Sequence, residues 1–547
     1  MDVLFFTAFL FFLRLLFFLC CRSFLRRWSP NGRRKVEKNL PPSPIALPFL
    51  GHLHLLGPLL HQSLDALAKR YGPIIHLRLG SMGNTVVVSS PALAKEFLKT
   101  HDIAFASRPP MVGQEFIGHD SVSFTFLPYG SCWKFMKKLF MTDFFSARKL
   151  ERTARIRQEE VRWLLGCLLE KSRAGEPADL EEMLAVLTNS IICRMTMGSS
   201  WKSLGRDREA EELRKVVLDH IELAGKLNIV HLLLGSVGKF DLFGYGKSLK
   251  RENERYVGMV EKILEEHERK RQQVEDEDGE NTNGEEEEED LVDILLKILE
   301  DDGIRYELTR PKIKTFLMDI LGAGTETSAV AMQWALAELL NHPDIFRKAR
   351  EEIDSVVGTN RLVQESDVPS LRYIQAVVKE TLRLHPPAPL DLRLCRQDCT
   401  VAGFHIPQNT KLLVNAWSLG RDPEHWENPL EFQPERFLDS NGACQNTVDV
   451  KGQHFQLLPF GSGRRMCPGM PLALPLMQVT IASVVQCFDW MASEKHPNST
   501  ATMALKEKAG FTLRMAQPLR RVPVARSVPL INEFQNAACK FPSRRRP

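Results

Sequence analysis

The sequence predicts a mainly α domain with a minor β part, preceded by an N-terminal membrane-anchor helix. Three observations carry that prediction. Met1–Cys21 is apolar except for Asp2, Thr7 and Arg14. A helical pattern runs unbroken from near Pro311 to Asn341. From about Phe49 onward, short β-like runs (Ile74–Leu79, Thr85–Val88) alternate with long helical stretches.

The anchor comes first along the chain, at residues 1–21. Val3 to Cys21 as a helix would span roughly 28 Å, close to the hydrocarbon core of a bilayer. The basic cluster Arg22, Arg26, Arg27, Arg33, Arg34, Lys35 and Lys38 follows. Lysine and arginine next to a span stay cytosolic, which puts the rest of the chain in the cytosol. A cleaved signal peptide would want a basic start and a small-residue cleavage site, and neither is present. Arg14 costs about 2.5–3.5 kcal/mol at mid-bilayer, so the helix is expected to tilt, thin the membrane locally or lie partly at the interface. Residues 22–48 form a basic, proline-rich connector, because Pro41-Pro42-Ser43-Pro44 and Pro48 cannot continue a helix.

The main domain is placed at residues 49–526 and a mobile tail at 527–547. Within the domain, Arg271–Asp290 is rich in Glu and Asp and reads as a solvated loop rather than a calcium site. The Pro311–Asn341 helix takes Thr309 as its cap and His342-Pro343 as its stop. At about 45 Å it is long enough to cross the domain. Asn498-Ser499-Thr500 is a glycosylation sequon that stays silent on the cytosolic side.

Bulk composition narrows the function. The 547 residues carry a net charge of only +4, which gives no electrostatic case for nucleic-acid binding. The 11 cysteines are odd in number and form no paired CxxC zinc pattern, so reduced thiols are expected.

Chemistry concentrates in Phe460-Gly461-Ser462-Gly463-Arg464-Arg465-Met466-Cys467-Pro468-Gly469. Its glycines let the backbone turn tightly and approach a bulky flat partner. Cys467 stands just before a helical segment, Met470 to Phe488. The helix N-terminus and nearby Arg465 are expected to favour thiolate over thiol. A lone cysteine is ordinarily a small buried hydrophobe, so it is the decapeptide that matters. It resembles the haem-binding signature F-x-x-G-x-R-x-C-x-G of the cytochrome P-450 family. The resemblance implies the fold of that family, haem b with Cys467 as axial thiolate, Arg465 at a propionate, Phe460 beside the sulfur, and Gly463 and Gly469 shaping the loop. A thiolate ligand pushes electron density toward iron and favours O–O cleavage.

Further motifs fall in the order of the same family. Ala323-Gly324-Thr325-Glu326-Thr327-Ser328 interrupts the long helix with weak helix formers. Small-residue packing between helices is one reading. The patch also resembles the oxygen-binding motif of the family, which implies that Ala323 and Gly324 lie at the cofactor, Thr327 hydrogen-bonds bound oxygen or water, and Glu326 feeds protons. Glu380-Thr381-Leu382-Arg383 places both charges on one helix face. With Arg436 of Pro434-Glu435-Arg436-Phe437 it resembles the structural Glu–Arg–Arg triad. Trp133 and Lys137 resemble the W-x-x-x-[RK] propionate contact, and Arg393 another. Pro475, inside the helix after Gly469, departs from good helix chemistry at about 3 kcal/mol or more and invites inspection.

The implied reaction uses O2 and electrons from NADPH, delivered by NADPH–cytochrome P-450 reductase with its FAD and FMN, with cytochrome b5 as a second donor. Asp449-Val450-Lys451-Gly452-Gln453-His454-Phe455 and Gly420-Arg421-Asp422-Pro423 are similar to the plant flavonoid-modifying branch, which includes flavone synthase II and flavanone 2-hydroxylase. By that analogy the substrate is a small phenolic, a flavanone oxidised at C2. Leu392 stands where the isoflavone-forming group carries Lys, which speaks against aryl migration. The implied pocket draws on the Arg108–Phe126 loop, Ala323, Ala388, Leu390, Leu392, Phe511 and Leu513. The direction of Asp391 stays open. Another plant isoflavonoid, pterocarpan or terpenoid substrate is the alternative. A haem isomerase or dehydratase, or a haem sensor, are the other classes, and the complete Glu326-Thr327 pair speaks against them.

Overall fold

The computed structural model describes residues 39–534 except 49, 81–82, 111–122, 205–207, 235–240, 242, 278–288, 301–307, 439–447, 492–502, 511 and 528. The anchor at 1–21, most of the connector, the sequon at Asn498 and the pocket residue Phe511 therefore lie outside the described residues.

The fold is organised by one helix. Arg310–Asn341 starts at Thr309, which has extended backbone but makes no side-chain cap bond, and ends before His342-Pro343. Its middle is buried on nearly every side, from Leu317 to Leu339. It packs against Leu180–Leu204, Met470–Cys487 and Arg372–Leu384. A helix apolar all round belongs in a core. The largest cluster of buried side chains is built around it, drawing on Leu164, Leu184, Phe316, Trp334, Val377 and Val484.

The β part sits to one side. Four strands lie in the order Ile74–Arg78, Asn84–Val88, Lys411–Asn415, Leu390–Leu394, of which only the middle pair is parallel. The β-like runs at Ile74–Leu79 and Thr85–Val88 match the first two strands to within a residue. In the last strand Arg393 pairs with Leu412 and Asp391 with Val414. A second small element, the hairpin Glu507–Lys508/Arg514–Met515, reaches back to the central helix.

Four expectations need correction. The acidic run does not begin as a loop, because the helix Tyr245–Glu277 carries its first residues. At its other end Asp290 is buried against His267, at 2.9 Å. The tail is not uniformly free. Phe534 is 1% exposed and packs near Phe488, and the Glu533 carboxylate accepts from the Leu362 N–H at 3.1 Å. Glu533 also pairs with Arg162 at 3.5 Å. Reduced thiols fail at Cys167, which is disulfide-bonded. Finally, Phe488 begins a strand instead of ending the preceding helix.

Pro475 does not break its helix, which runs from Met470 through Cys487. Pro475 instead borders a surface cavity of about 550 Å³ with Leu150, Arg157 and Val479. The carbonyl it leaves unpaired can meet water there.

Candidate functional site

The Phe460–Gly469 loop is shaped by its glycines. Gly461 and Gly463 have φ of +69° and +66°. A Cβ at Gly463 would sit 2.5 Å from the Leu98 carbonyl oxygen and 2.7 Å from Asp102 Oδ1. Gly463→Ala is therefore expected to cost about 1–3 kcal/mol, read as a lower midpoint in thermal or denaturant unfolding. Gly452, at φ +75°, seats the loop from below, since a Cβ there would meet the Gly461 carbonyl oxygen at 2.9 Å.

Cys467 N–H donates to the Phe460 carbonyl at 2.9 Å, turning the sulfur outward at the foot of the Met470–Cys487 helix. The Gly469 and Met470 N–H groups are directed at that sulfur. Cys467 is solvent-accessible, yet its surroundings are desolvated enough to push the thiol above its ordinary range, against the pull of those N–H groups, Lys137 and Arg108. The helix end favours the anion, as expected. Desolvation penalises the anion more than the helix end and nearby cations stabilise it. Arg465 does not supply that help. Its guanidinium lies 4.5 Å over the Trp133 ring and donates to the Ala106 and Leu127 carbonyls.

Cations converge beside the sulfur. Lys137 Nζ donates to the Met466 carbonyl at 2.9 Å. Arg393 grips Asp391 through Nε (3.0 Å) and NH2 (2.7 Å) and reaches the Ser462 carbonyl at 3.1 Å. Asp391 thereby finds its role: it faces Arg393, on the same side of the strand. Arg108, which no sequence pattern singled out, stands 3.7 Å from Asp391 and feels Cys467 and Asp319. Burial, together with repulsion from Arg108 and Arg393, pulls Arg465 down to about 9. Burial also lowers Arg108 and Lys137. Among the described residues, Arg393 NH1 and Arg108 Nε are buried without a hydrogen-bond partner. Cations crowded around one carboxylate, with unspent donors, call for more negative charge. Two propionates would supply it, so the residues fit a haem held by Cys467 and edged by Arg108, Lys137, Arg393 and Arg465. Trp133, 5% exposed, forms the wall under Arg465, and Phe460 is partly buried against the large core cluster.

On the central helix the motif splits by face. Gly322 and Gly324 turn toward neighbouring helices, where added Cβ atoms would come within 2.7 Å of Ile221 and 2.8 Å of Ile192. Helix packing thus accounts for a glycine at 324. Ala323 is exposed within this mostly buried helix, as is Ala388 between buried Pro387 and Pro389. Thr327 Oγ1 donates to the Ala323 carbonyl at 2.7 Å. Glu326 Oε1 accepts from Thr512 Oγ1 and, at 2.7 Å, from Arg514 Nε, both on the C-terminal hairpin. Leu513 is anchored by backbone, its carbonyl accepting from Trp334 Nε1 at 2.6 Å.

Leu390 and Leu392 take the other face of their strand. Strand alternation sends them opposite to Asp391 and Arg393, into a cluster with Leu64, Ile75, Leu77 and Val87. The structural triad assembles as expected. Arg383 binds both Glu380 oxygens (2.6 and 2.7 Å), Arg436 Nε adds 3.0 Å, and Arg383 and Glu380 are fully buried.

Asp319, one turn before Ala323, was also missed. It accepts from Ser123 Oγ at 2.7 Å and the Thr125 N–H at 3.3 Å, pinning the loop after Arg108. Burial raises it from 3.8 to about 6. The folded state holds this proton more tightly than the unfolded chain. Its contribution is therefore most favourable below about 4 and declines as pH rises to about 6, a difference on the order of 3 kcal/mol. Asp319→Asn is expected to flatten the stability–pH curve across that window, measured by denaturant unfolding.

The comparisons agree with this geometry. Residues 41–515 match the family model for Cytochrome P450. The chain is 43% identical over 505 residues to a 3,9-dihydroxypterocarpan 6A-monooxygenase of Glycine max, covering 92% of this chain and 95% of that protein. It is 44% identical to a beta-amyrin 24-hydroxylase of Glycine max, covering 91% and 94%. A 2-hydroxyisoflavanone synthase of Glycyrrhiza uralensis is 41% identical, covering 92% and 95%. A solved zebrafish cytochrome P450 with progesterone superimposes with a TM-score of 0.69 at 26% identity, over 86% of this chain and 100% of that one. With a thiol presented by a glycine loop, a cation-lined edge beside it and a match over most of the domain, the chain belongs to the cytochrome P450 family.

Proposed function

We propose that this protein is a haem-thiolate monooxygenase that oxidises a flavanone at C2, giving a 2-hydroxyflavanone or flavone, from a single N-terminal anchor in the endoplasmic reticulum membrane. The observation that carries the haem-thiolate part is the set of cations crowded around Asp391 beside a sulfur that receives two backbone N–H groups. When bound, the haem activates dioxygen with electrons from NADPH, passed on by a reductase. Cys467 holds it, and Arg108, Lys137, Arg393 and Arg465 orient its edge. Thr327 Oγ1 and Glu326 Oε1 hold the proton-handling positions on the central helix. Glu326 must exchange its Arg514 and Thr512 partners before it can serve Thr327. The small side chains of Ala323 and Ala388 leave room for a flat substrate.

The flavonoid reading is supported by the phenolic names of two relatives, the pterocarpan monooxygenase and the isoflavanone synthase. A triterpenoid substrate is the second reading, favoured by the beta-amyrin hydroxylase at 44% identity, beside 43% and 41% for the other two. Microsomes carrying the protein, given naringenin and NADPH, are expected to yield a 2-hydroxyflavanone or flavone by mass spectrometry. Untouched naringenin together with oxidation of β-amyrin would replace the first reading with the second.

A further inference from the structure

The strand that carries Arg393 runs directly into a pair of thiols. Cys395 is fully buried, and Cys399 is partly buried four residues on, at the start of the next short strand. Their sulfurs lie 3.8 Å apart. We propose that Cys395 and Cys399 form a reversible disulfide, an oxidative modification site at the edge of the cation pocket, with a peroxide as oxidant.

The local structure favours closure over a scattered pair of thiols. The backbone of Cys395 is fixed from both sides, its N–H donating to the Thr410 carbonyl at 2.9 Å and its carbonyl accepting from Asn409 at 2.8 Å. Cys399 has more freedom, standing at the end of a strand three residues long. A disulfide needs about 2.05 Å between sulfurs, so the pair must close by roughly 1.8 Å, within the reach of modest side-chain rotation. The pair is also chemically asymmetric. The hydrogen bond between the two sulfurs lowers Cys399 from the ordinary thiol range and, with burial, raises Cys395, whose Sγ also donates to the Gln397 carbonyl at 3.0 Å. The less buried sulfur is thus the better nucleophile.

The chemistry balances with hydrogen peroxide. The Cys399 thiolate attacks one peroxide oxygen, the O–O bond breaks, and the departing hydroxide takes a proton to become water, leaving a sulfenic acid. Cys395 sulfur then attacks the sulfenic sulfur. The S–S bond forms, and hydroxide leaves with the proton of Cys395 as a second water. Two thiols lose two electrons and one peroxide becomes two waters. A dithiol reductant reverses it. In a cytosol-facing domain such a bond is the transient, redox-sensing kind. Its position gives it a connection to the site. Leu394 and Arg396, flanking Cys395, donate to the Ser107 and Ala104 carbonyls, both at 2.8 Å, and Ala106 between them accepts from Arg465.

Trypsin cuts between the two cysteines at Arg396, which makes the test direct. The folded holoprotein is treated with hydrogen peroxide, remaining thiols are blocked with N-ethylmaleimide, and the digest is read by mass spectrometry without reductant. The expected product is the Leu394–Arg396 peptide joined to the Gln397–Lys411 peptide. The joined species should vanish with dithiothreitol and be absent from Cys399→Ser, whose fold is checked by its absorbance spectrum. Both peptides carrying N-ethylmaleimide after peroxide would overturn the proposal. So would Cys399 driven to sulfinic acid with Cys395 still free, or either cysteine joined to a different one.

Discussion

Cys467→Ala is expected to reduce turnover to background and to remove the strongly red-shifted Soret band from the reduced, carbon-monoxide-treated protein. No other described cysteine lies in the Phe460–Gly469 loop, so nothing can take over the sulfur position. The fold around the loop is expected to survive. The turn is held by the Cys467 backbone N–H to Phe460 and by Ser462 Oγ to the Gly452 carbonyl at 2.6 Å, and neither needs the thiol. The change therefore isolates the ligand from the scaffold. Free thiol at this position is disfavoured as an anion by desolvation, but a coordinating metal deprotonates a thiol outright. The directed N–H groups of Gly469 and Met470 then stabilise the resulting charge. Cys467→Ser keeps size and loop geometry while replacing sulfur with oxygen, and should lose the same band. Either variant keeping the red-shifted band would remove Cys467 from the account.

Arg383→Ala is the second large effect, and it acts on folding rather than chemistry. Arg383 and Glu380 have no exposed side-chain surface. Arg383 also donates to the carbonyls of Gly420, Pro429 (2.7 Å) and Glu431 (2.9 Å), while Glu380 accepts from the Gln433 N–H at 2.8 Å. Removing the arginine leaves the buried carboxylate to Arg436 and the Gln433 N–H and takes a donor from three carbonyls together, with an expected cost of about 3–5 kcal/mol. Total stabilities run to only about 5–15 kcal/mol, so little folded protein should accumulate. Arg383→Lys should fall between, because an ammonium cannot grip both Glu380 oxygens and the carbonyls at once. A double change to apolar residues, often neutral for a simple ion pair, is expected not to rescue stability here, since it leaves the backbone acceptors unmet. Unfolding midpoints and yield of folded protein decide this. An unchanged midpoint for Arg383→Ala would show the triad to be dispensable.

The residues that chemistry requires in a fixed local spacing were the legible ones. Gly461, Gly463 and Cys467 share one loop, so their turn geometry could be read from neighbours in sequence. Glu380 and Arg383 share one helix face for the same reason. Arg108 and Asp319 were missed because each acts through partners far along the chain, Asp391 for one and Ser123 for the other. An arginine before proline and an aspartate in a helix carry no pattern of their own. Leu390 and Leu392 were half legible. Their alternation with Asp391 and Arg393 says that the two pairs face opposite ways, but not which neighbours each pair meets.

The sequence by itself determined the chemistry of this protein: a cysteine on a glycine turn before a helix, an acid and a hydroxyl in the middle of a long helix, and the charges of a buried triad. These are short-range facts, fixed by φ angles, helical periodicity and residue type. Tertiary structure decided which faces met. It turned Gly322 and Gly324 toward Ile221 and Ile192, gave Asp391 to Arg393, and tied Glu326 to Arg514. It also settled Met470–Cys487, which is apolar enough to cross a bilayer but is largely buried against the central helix. Burial is a property of surfaces brought together from distant parts of the chain, and local composition does not encode which surface arrives.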